Sequence, residues 1–194
     1  GGGPVYDIGV YCINAARYLF QSEPLEVVAT FAMSDEARFG NCERAASVSM
    51  RFPNDRLATF TCGFGTEKAA YYTVAGTEGA LKMDPAYSYS IDLKQELTAG
   101  GKTRKRTFKT GDQFGPQLQY FSDCILNNEQ PEPSGYEGWN DVRIVRAIHE
   151  SAASRQAVVL NLADDEKPDA SQEIRMKPAR QRLIVKAEAP GGSN

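Results

Sequence analysis

The chain has 194 residues, of which 41% are hydrophobic and 24% are charged, and this composition is typical of an ordinary globular protein. A net charge of −3 argues against a dedicated nucleic-acid or membrane-surface protein. No apolar run approaches the roughly 20 residues that a membrane-spanning helix needs. The four cysteines are scattered, which predicts free thiols in a reducing, cytoplasmic compartment, and a single histidine excludes a His-rich metal site.

The first element is an amphipathic helix that follows a glycine run. Asp7 and Tyr11 are four residues apart, so an α-helix places them on one face, one turn apart. Asn14, three residues further on, lies near that face and either binds a hydroxyl or is simply an exposed polar side chain. A carboxylate beside a phenol suits a hydroxyl-bearing ligand. The alternative is structural: Asp7 caps the helix and Tyr11 packs with its hydroxyl in water. Apolar residues occupy much of the remaining circumference: Val5, Ile8, Cys12, Ile13, Ala16, Leu19 and Phe20.

The middle of the chain alternates apolar and polar residues, as strands with one buried face do. Residues 25–33 form one such segment, and residues 46–52 and 58–64 form a hairpin around the turn at 53–56. Because short turns connect these segments, the sheet is expected to be mostly antiparallel. Further strands are predicted around residues 69–75, 80–83, 87–93 and 104–108, with turns at 76–79 and 99–101.

Helices return after the strands. The stripe Phe114, Leu118, Phe121 and Ile125 has helical spacing, and prolines at 131 and 133 end that helix. Ser134 and Glu137 have the spacing of a capping box and predict the start of a last helix that runs to about residue 152. The order predicts an α+β domain, with helices on one face of a large open sheet and the other face in need of a partner. Residues 163–194 are polar and predict a tail or an extended arm, in which 183–185 could add an edge strand.

Several strings together resemble a known family. The segment GGGPVYDIGVYCINAARYLF is similar to the helix that opens the C-terminal domain of the Gfo/Idh/MocA oxidoreductases, in particular their glucose–fructose oxidoreductase branch. The likeness continues at residues 83–86, 117–121, 141–143 and 147–152. It covers about residues 1–162, which would then be a substrate-binding and dimerisation domain. The resemblance implies hydride transfer between NAD or NADP and a sugar or cyclic polyol, and a homodimer through the open sheet face.

The resemblance also implies roles for the first helix. Asp7 would orient substrate hydroxyls, and Tyr11 would be the proton donor or hydrogen-bond partner, at a position where many relatives have histidine. Gly2 and Gly3 would allow close approach of the backbone to the cofactor. Most cofactor contacts, and a lysine in an E-K-P motif, would come from a preceding Rossmann domain that this chain lacks. The isolated chain is therefore expected to be inactive.

Other features have less specific interpretations. The competing function is a non-catalytic ligand-binding or oligomerisation module of the same fold. The basic cluster at residues 102–109 predicts a solvated strand rather than a nucleic-acid site. The E-K-P at residues 166–168 follows the last helix and is taken as a coincidence. His149 lies on an apolar stripe and is expected in the core or partly buried.

Overall fold

The computed structural model describes residues 2–162 and 167–169. These residues form two compact units. The first contains the described residues up to 69 together with those from 130 onwards, and the second contains residues 70–129.

The elements follow one another in the order helix, strands, helices and a short final strand. A π turn (Val5–Gly9) leads directly into helix α1 (Val10–Phe20). The remaining elements are β1 (Glu26–Ala32), β2 (Ala45–Phe52), a 3₁₀ turn (Pro53–Asp55), β3 (Arg56–Gly63), β4 (Tyr72–Ala75), β5 (Gly79–Met83), β6 (Leu93–Ala99), β7 (Lys102–Phe108), α2 (Phe114–Asn127), α3 (Gly135–Ser154) and β8 (Val158–Val159).

In the first unit, helices cover one face of a four-stranded antiparallel sheet with the strand order β3-β2-β1-β8. Val27 of β1 and Val48 and Met50 of β2 point inwards, because alternate residues of a strand share a face. Ile144 and Ile148 of α3 complete this core. The predicted hairpin of β2 and β3 is confirmed, and Asn54 makes its turn with a left-handed backbone (φ 61°).

The second unit contains a four-stranded antiparallel sheet with the strand order β4-β5-β6-β7, and helix α2. The α+β class, the antiparallel pairing and all three predicted helices are confirmed. The single large sheet is instead divided into two sheets of four strands each. The basic residues of the predicted cluster lie on the exposed strand β7, as expected of a solvated strand, except Lys109, which follows it.

One strand prediction is wrong. Residues 87–93 do not form a strand; Tyr87 has φ 59°, and the strand β6 begins only at Leu93. The loop before β6 is held by Asp92, whose carboxylate accepts hydrogen bonds from the Thr110 backbone and from Lys109. β6 pairs with β7, and the Glu96–Lys105 ion pair joins the two strands. The apolar alternation of β6 is too weak to have predicted this strand.

Helix α2 has the predicted apolar stripe, but Phe114, Leu118, Phe121 and Ile125 are all exposed. Burial in the second unit is instead contributed by Met83, Ala86 and Cys124. Over the described residues, no helix has the length and apolar character needed to cross a membrane.

Candidate functional site

The first helix begins with an irregular turn that the sequence did not predict. The Val10 N–H bonds to the carbonyl of Val5, five residues back, so residues 5–9 are wound as a π turn before the regular helix starts. Such single turns often occur at functional sites. Gly9 lies against the sheet, where an added Cβ would be 3.4 Å from the Cys62 sulfur. The helix is therefore pressed closely onto β3 at this point.

Both predicted catalytic side chains are accessible from the helix surface. Asp7 lies within the π turn and is exposed, and Tyr11 lies in the first turn of α1 with 58% of its surface exposed. Because residues 5–9 are π-helical, the four-residue spacing does not carry the ideal α-helical geometry assumed from the sequence. The side chains nevertheless meet the first requirement of a site, since a ligand can reach each of them.

Asn14, the predicted substrate-binding residue, has a partner within the protein. Its side chain is half-buried and hydrogen-bonds to Asp141 of α3. Burial raises the pKa of Asp141 above its ordinary value, although Arg17 and this hydrogen bond oppose the effect. Asn14 thus connects the exposed helix face to a buried set of charged residues.

That set is centred on Arg17, which is completely buried. Its guanidinium donates to both oxygens of Glu23, at 2.7 Å and 2.5 Å, and to Asp141 Oδ1 at 2.7 Å. A further N–H of Arg17 donates to the Glu137 carbonyl, and the Asn140 amide donates to Glu23. Burial alone would lower the pKa of Arg17, but the hydrogen bonds and charges of the two carboxylates raise it. The group clamps α1 to α3 in a charged state.

Two carboxyl groups lie close together beside this clamp. Glu137 is buried, and among the described residues no N–H or O–H group donates a hydrogen bond to its Oε2. Burial, and then its contact with Glu132, raise the pKa of Glu137 to about 7. Glu132 also accepts a hydrogen bond from the Tyr18 hydroxyl at 2.7 Å. Ser134 and Glu137 form the predicted capping box, so the residue that starts α3 is also the one whose pKa is raised toward neutrality.

His149 is partly buried, as predicted. Its ring contacts Tyr6 (centroids 5.5 Å apart) and meets Phe31 edge-on at 4.9 Å. Its Nε2 is buried and has no hydrogen-bond partner among residues 2–162 and 167–169. The His149 ring therefore packs against Tyr6, the residue that precedes Asp7.

The glycine run has a structural reason that the sequence did not show. Gly2 is exposed, but Gly3 is buried with φ +81°, and an added Cβ would lie 2.5 Å from both carboxylate oxygens of Glu43. Glu43 is a buried acid from the loop before β2, and its Oε1 accepts the Val5 N–H at 3.0 Å. The roles of Gly2 and Gly3 toward a cofactor remain predictions. Gly3 is explained without one, because a carboxylate occupies the space beside it.

Sequence reasoning missed Glu43 and Arg17. A charged residue at helical spacing among buried apolar positions, as Arg17 is with Ile13 and Ala16, is a usable signal for a buried ion pair. Glu43 had no comparable local signal. None of the four cysteines forms a disulfide.

Residues 1–82 match the family model described as the GFO/IDH/MocA C-terminal domain. The chain is similar to D-xylose 1-dehydrogenase (NADP(+)) 2 of Haloferax volcanii, with 30% identity over 162 residues that cover 82% of this chain and 49% of that protein. It is 27% identical to the D-xylose 1-dehydrogenase (NADP(+)) of Haloarcula marismortui over 161 residues, which cover 83% of this chain and 45% of that protein.

Among solved structures, the chain is similar to an aldose–aldose oxidoreductase from Caulobacter crescentus in complex with glycerol. The identity is 33% and the TM-score 0.76, and the match covers 82% of this chain and 48% of that one. The chain spans about half the length of the curated relatives it matches.

Proposed function

We propose that this chain is the substrate-binding and dimerisation domain of an NAD(P)-dependent oxidoreductase, because its residues 1–82 match the family model of the GFO/IDH/MocA C-terminal domain. The substrate is a sugar or a related cyclic polyol, which loses a hydride from a hydroxyl-bearing carbon on oxidation or gains one at the corresponding carbonyl carbon on reduction. Two D-xylose dehydrogenases and an aldose–aldose oxidoreductase among the similar proteins support this substrate class.

One observation carries the proposal for this chain. Within the segment that matches the family model, the helix presents an exposed carboxylate and an exposed phenol, Asp7 and Tyr11, while its opposite side, with Val5, Gly9 and Ile13, is buried. A helix held this closely by its sheet and by α3 gives such side chains fixed positions, which site chemistry requires.

The two residues divide the work of holding a hydroxyl-bearing substrate. The Asp7 carboxylate accepts hydrogen bonds from substrate hydroxyls and orients the ring. The Tyr11 hydroxyl contacts the reacting oxygen, and it gives or takes the hydroxyl proton as the carbon exchanges its hydride. The nicotinamide supplies the hydride acceptor or donor. A neighbouring cation is needed for Tyr11 to act near neutral pH, since the free phenol has a pKa near 10. We assign that cation to the lysine of a nucleotide-binding domain.

The cofactor belongs mainly to that second domain. Gly2 is exposed, although an added Cβ there would lie 2.7 Å from the Tyr6 ring, whereas Gly3 is buried against the Glu43 carboxylate, which a phosphate would avoid. Of the glycine run, only Gly2 would therefore remain available for a backbone contact with the cofactor.

Dimerisation through the uncovered sheet face is part of the same proposal. Most outward residues of the first sheet are small and uncharged, among them Thr30, Ser47, Thr59 and Thr61, and Val28 and Leu57 add apolar surface; the Glu26–Arg51 ion pair lies at one end of the face. Such a face suits close packing against a second copy in the cytoplasm. A Thr59→Arg change would put a bulky charge on this face, and light scattering should then show a monomer where the unchanged protein is a dimer.

The test is cofactor reduction by the full-length protein. Purified protein is mixed with NAD⁺ or NADP⁺ and with D-xylose, D-glucose or a cyclic polyol, and absorbance at the nicotinamide band is followed. Turnover with at least one of these, lost in an Asp7→Asn variant that still folds, supports the proposal. A folded full-length protein that turns over none of them and binds none would leave the oligomerisation module as the better account.

A further inference from the structure

We propose that Glu43 is a positioning residue of this site: its buried carboxylate fixes the first turn of the helix, and thereby the place from which Asp7 and Tyr11 meet the substrate. The inference rests on the proposed function, since it concerns the same two side chains. Glu43 acts through the backbone and makes no contact with the ligand itself.

The contact is specific and buried. Glu43 Oε1 accepts the backbone N–H of Val5 at 3.0 Å, between residues 38 positions apart in the chain. Glu43 is 2% exposed and Val5 is 0% exposed, so water does not compete for this hydrogen bond. The N–H groups of a helix's first turn have no partner within the helix and carry its positive end, where a carboxylate is favourable.

Gly3 is fitted to the same carboxylate. Its backbone has φ +81°, and the position of an added Cβ is 2.5 Å from the Glu43 Cδ and from both oxygens. A side chain at this residue would displace the carboxylate or the chain. The glycine and the acid therefore form one feature, in which the chain passes directly over Glu43 before the helix begins.

The held residue also controls the turn that carries Asp7. Val5 is the first residue of the π turn, and its carbonyl accepts the Val10 N–H that closes the turn. Asp7 lies between these two points, and Tyr11 follows at the next residue after Val10. A shift of Val5 therefore moves both candidate catalytic groups, and misplacement by about 1 Å can cost about a hundredfold in rate.

A direct catalytic role for Glu43 does not fit its surroundings. The carboxylate is buried beneath Gly3, while Asp7 and Tyr11 point to the outer surface of the helix. A general base must reach within hydrogen-bond distance of the proton that it moves. Glu43 is closed off from that surface by the chain it supports.

The experiment compares variants of the full-length protein in steady-state kinetics and in amide hydrogen exchange. Glu43→Ala removes the acceptor and is expected to lower kcat at least tenfold, with the KM for the nicotinamide cofactor unchanged. Glu43→Gln retains an oxygen for the Val5 N–H and should restore kcat to within threefold of the unchanged protein. Glu43→Asp, one methylene shorter, serves if the alanine variant does not fold, and should also lose at least threefold in kcat.

Ser151→Ala is the matched control. Ser151 is also fully buried, and its Oγ accepts a backbone N–H, that of Ala29, at 3.0 Å, far along the chain from the first turn. Its loss should destabilise the fold similarly without lowering kcat. If Ser151→Ala lowers kcat as much as Glu43→Ala does, the loss reflects general destabilisation and the positioning role is overturned. The role is also overturned if Glu43→Ala or Glu43→Asp leaves kcat unchanged. A Glu43→Gln variant as slow as Glu43→Ala would overturn it as well.

Hydrogen exchange tests the inference separately from the function. Glu43→Ala, or Glu43→Asp in its place, should speed exchange of the amides of residues 5–10, while Ser151→Ala leaves them protected. If the full-length protein oxidises none of the substrates, the proposed function fails, and faster exchange confined to the first turn still supports the positioning contact. Unchanged exchange at residues 5–10 overturns it in either case.

Discussion

The buried Arg17 clamp gives the sharpest stability prediction. Arg17→Met preserves much of the side-chain volume but leaves the Glu23 and Asp141 carboxylates, which are 5% and 14% exposed, without their cation. Uncompensated buried charges of this kind cost about 3–5 kcal/mol. With a urea m-value of about 2 kcal/mol/M, the unfolding midpoint should fall by roughly 1.5–2.5 M. Urea titration followed by circular dichroism measures this shift.

Arg38→Met is the matched control, because the same substitution there breaks an ion pair with Glu36 that is largely open to water (63% and 52% exposed). Its cost should be about 0–1 kcal/mol. Adding Glu23→Gln and Asp141→Asn to Arg17→Met removes the stranded charges and should recover part of the lost stability. Equal midpoint shifts for Arg17→Met and Arg38→Met would refute the assignment of Arg17 as a buried clamp.

Two further predictions concern Glu137 and Gly3. The folded-state pKa of Glu137 is about 7 against an ordinary value of 4.5, so its contribution to stability is full below pH 4.5 and is lost as the pH rises through 7. Glu137→Gln mimics the protonated acid and can donate to Glu132. Its unfolding free energy should equal that of the unchanged protein near pH 4.5 and exceed it at pH 8. If the unfolding free energies of the two proteins change with pH in parallel, the prediction is contradicted. Gly3→Ala should destabilise more than Gly40→Ala in thermal melts, because both have positive φ but only Gly3 faces a carboxylate, whereas an added Cβ at Gly40 has open space. Equal losses would show that backbone strain alone explains Gly3.

Much of the fold follows from local signals. The hairpin of β2 and β3 and the start of α3 were predictable because alternation, turn residues and the Ser134–Glu137 capping box act over a few neighbouring residues. Tyr87, Tyr89 and Ile91 imitate such alternation, yet Tyr89 and Ile91 are exposed and the segment is a loop. Apolar alternation alone could not show that Asp92 ties this loop to Thr110.

The sequence predicted the residues of the candidate site, but it did not predict the π turn and the Glu43–Val5 hydrogen bond that hold them in place. Asp7 and Tyr11 stand out because a polar pair interrupts an apolar helix, and both are exposed. The π turn could not be predicted. In an α-helix each N–H bonds to the carbonyl four residues back, and in a π turn to the carbonyl five residues back, but a segment of five residues has the same sequence pattern in both cases. Glu43 reaches Val5 from 38 residues away, so only the folded chain brings the two together.

The central claim is that the Asp7–Tyr11 face carries out the chemistry of a sugar or polyol oxidoreductase. The most direct measurement is kcat for Tyr11→Phe in the full-length protein, beside Tyr6→Phe as the control. Tyr6 lies on the same helix, is partly exposed and packs on His149, so loss of its hydroxyl tests the helix surface without the proposed proton transfer. We predict that Tyr11→Phe loses two or more orders of magnitude in kcat while Tyr6→Phe stays within threefold. A Tyr11→Phe protein as fast as Tyr6→Phe would contradict the account.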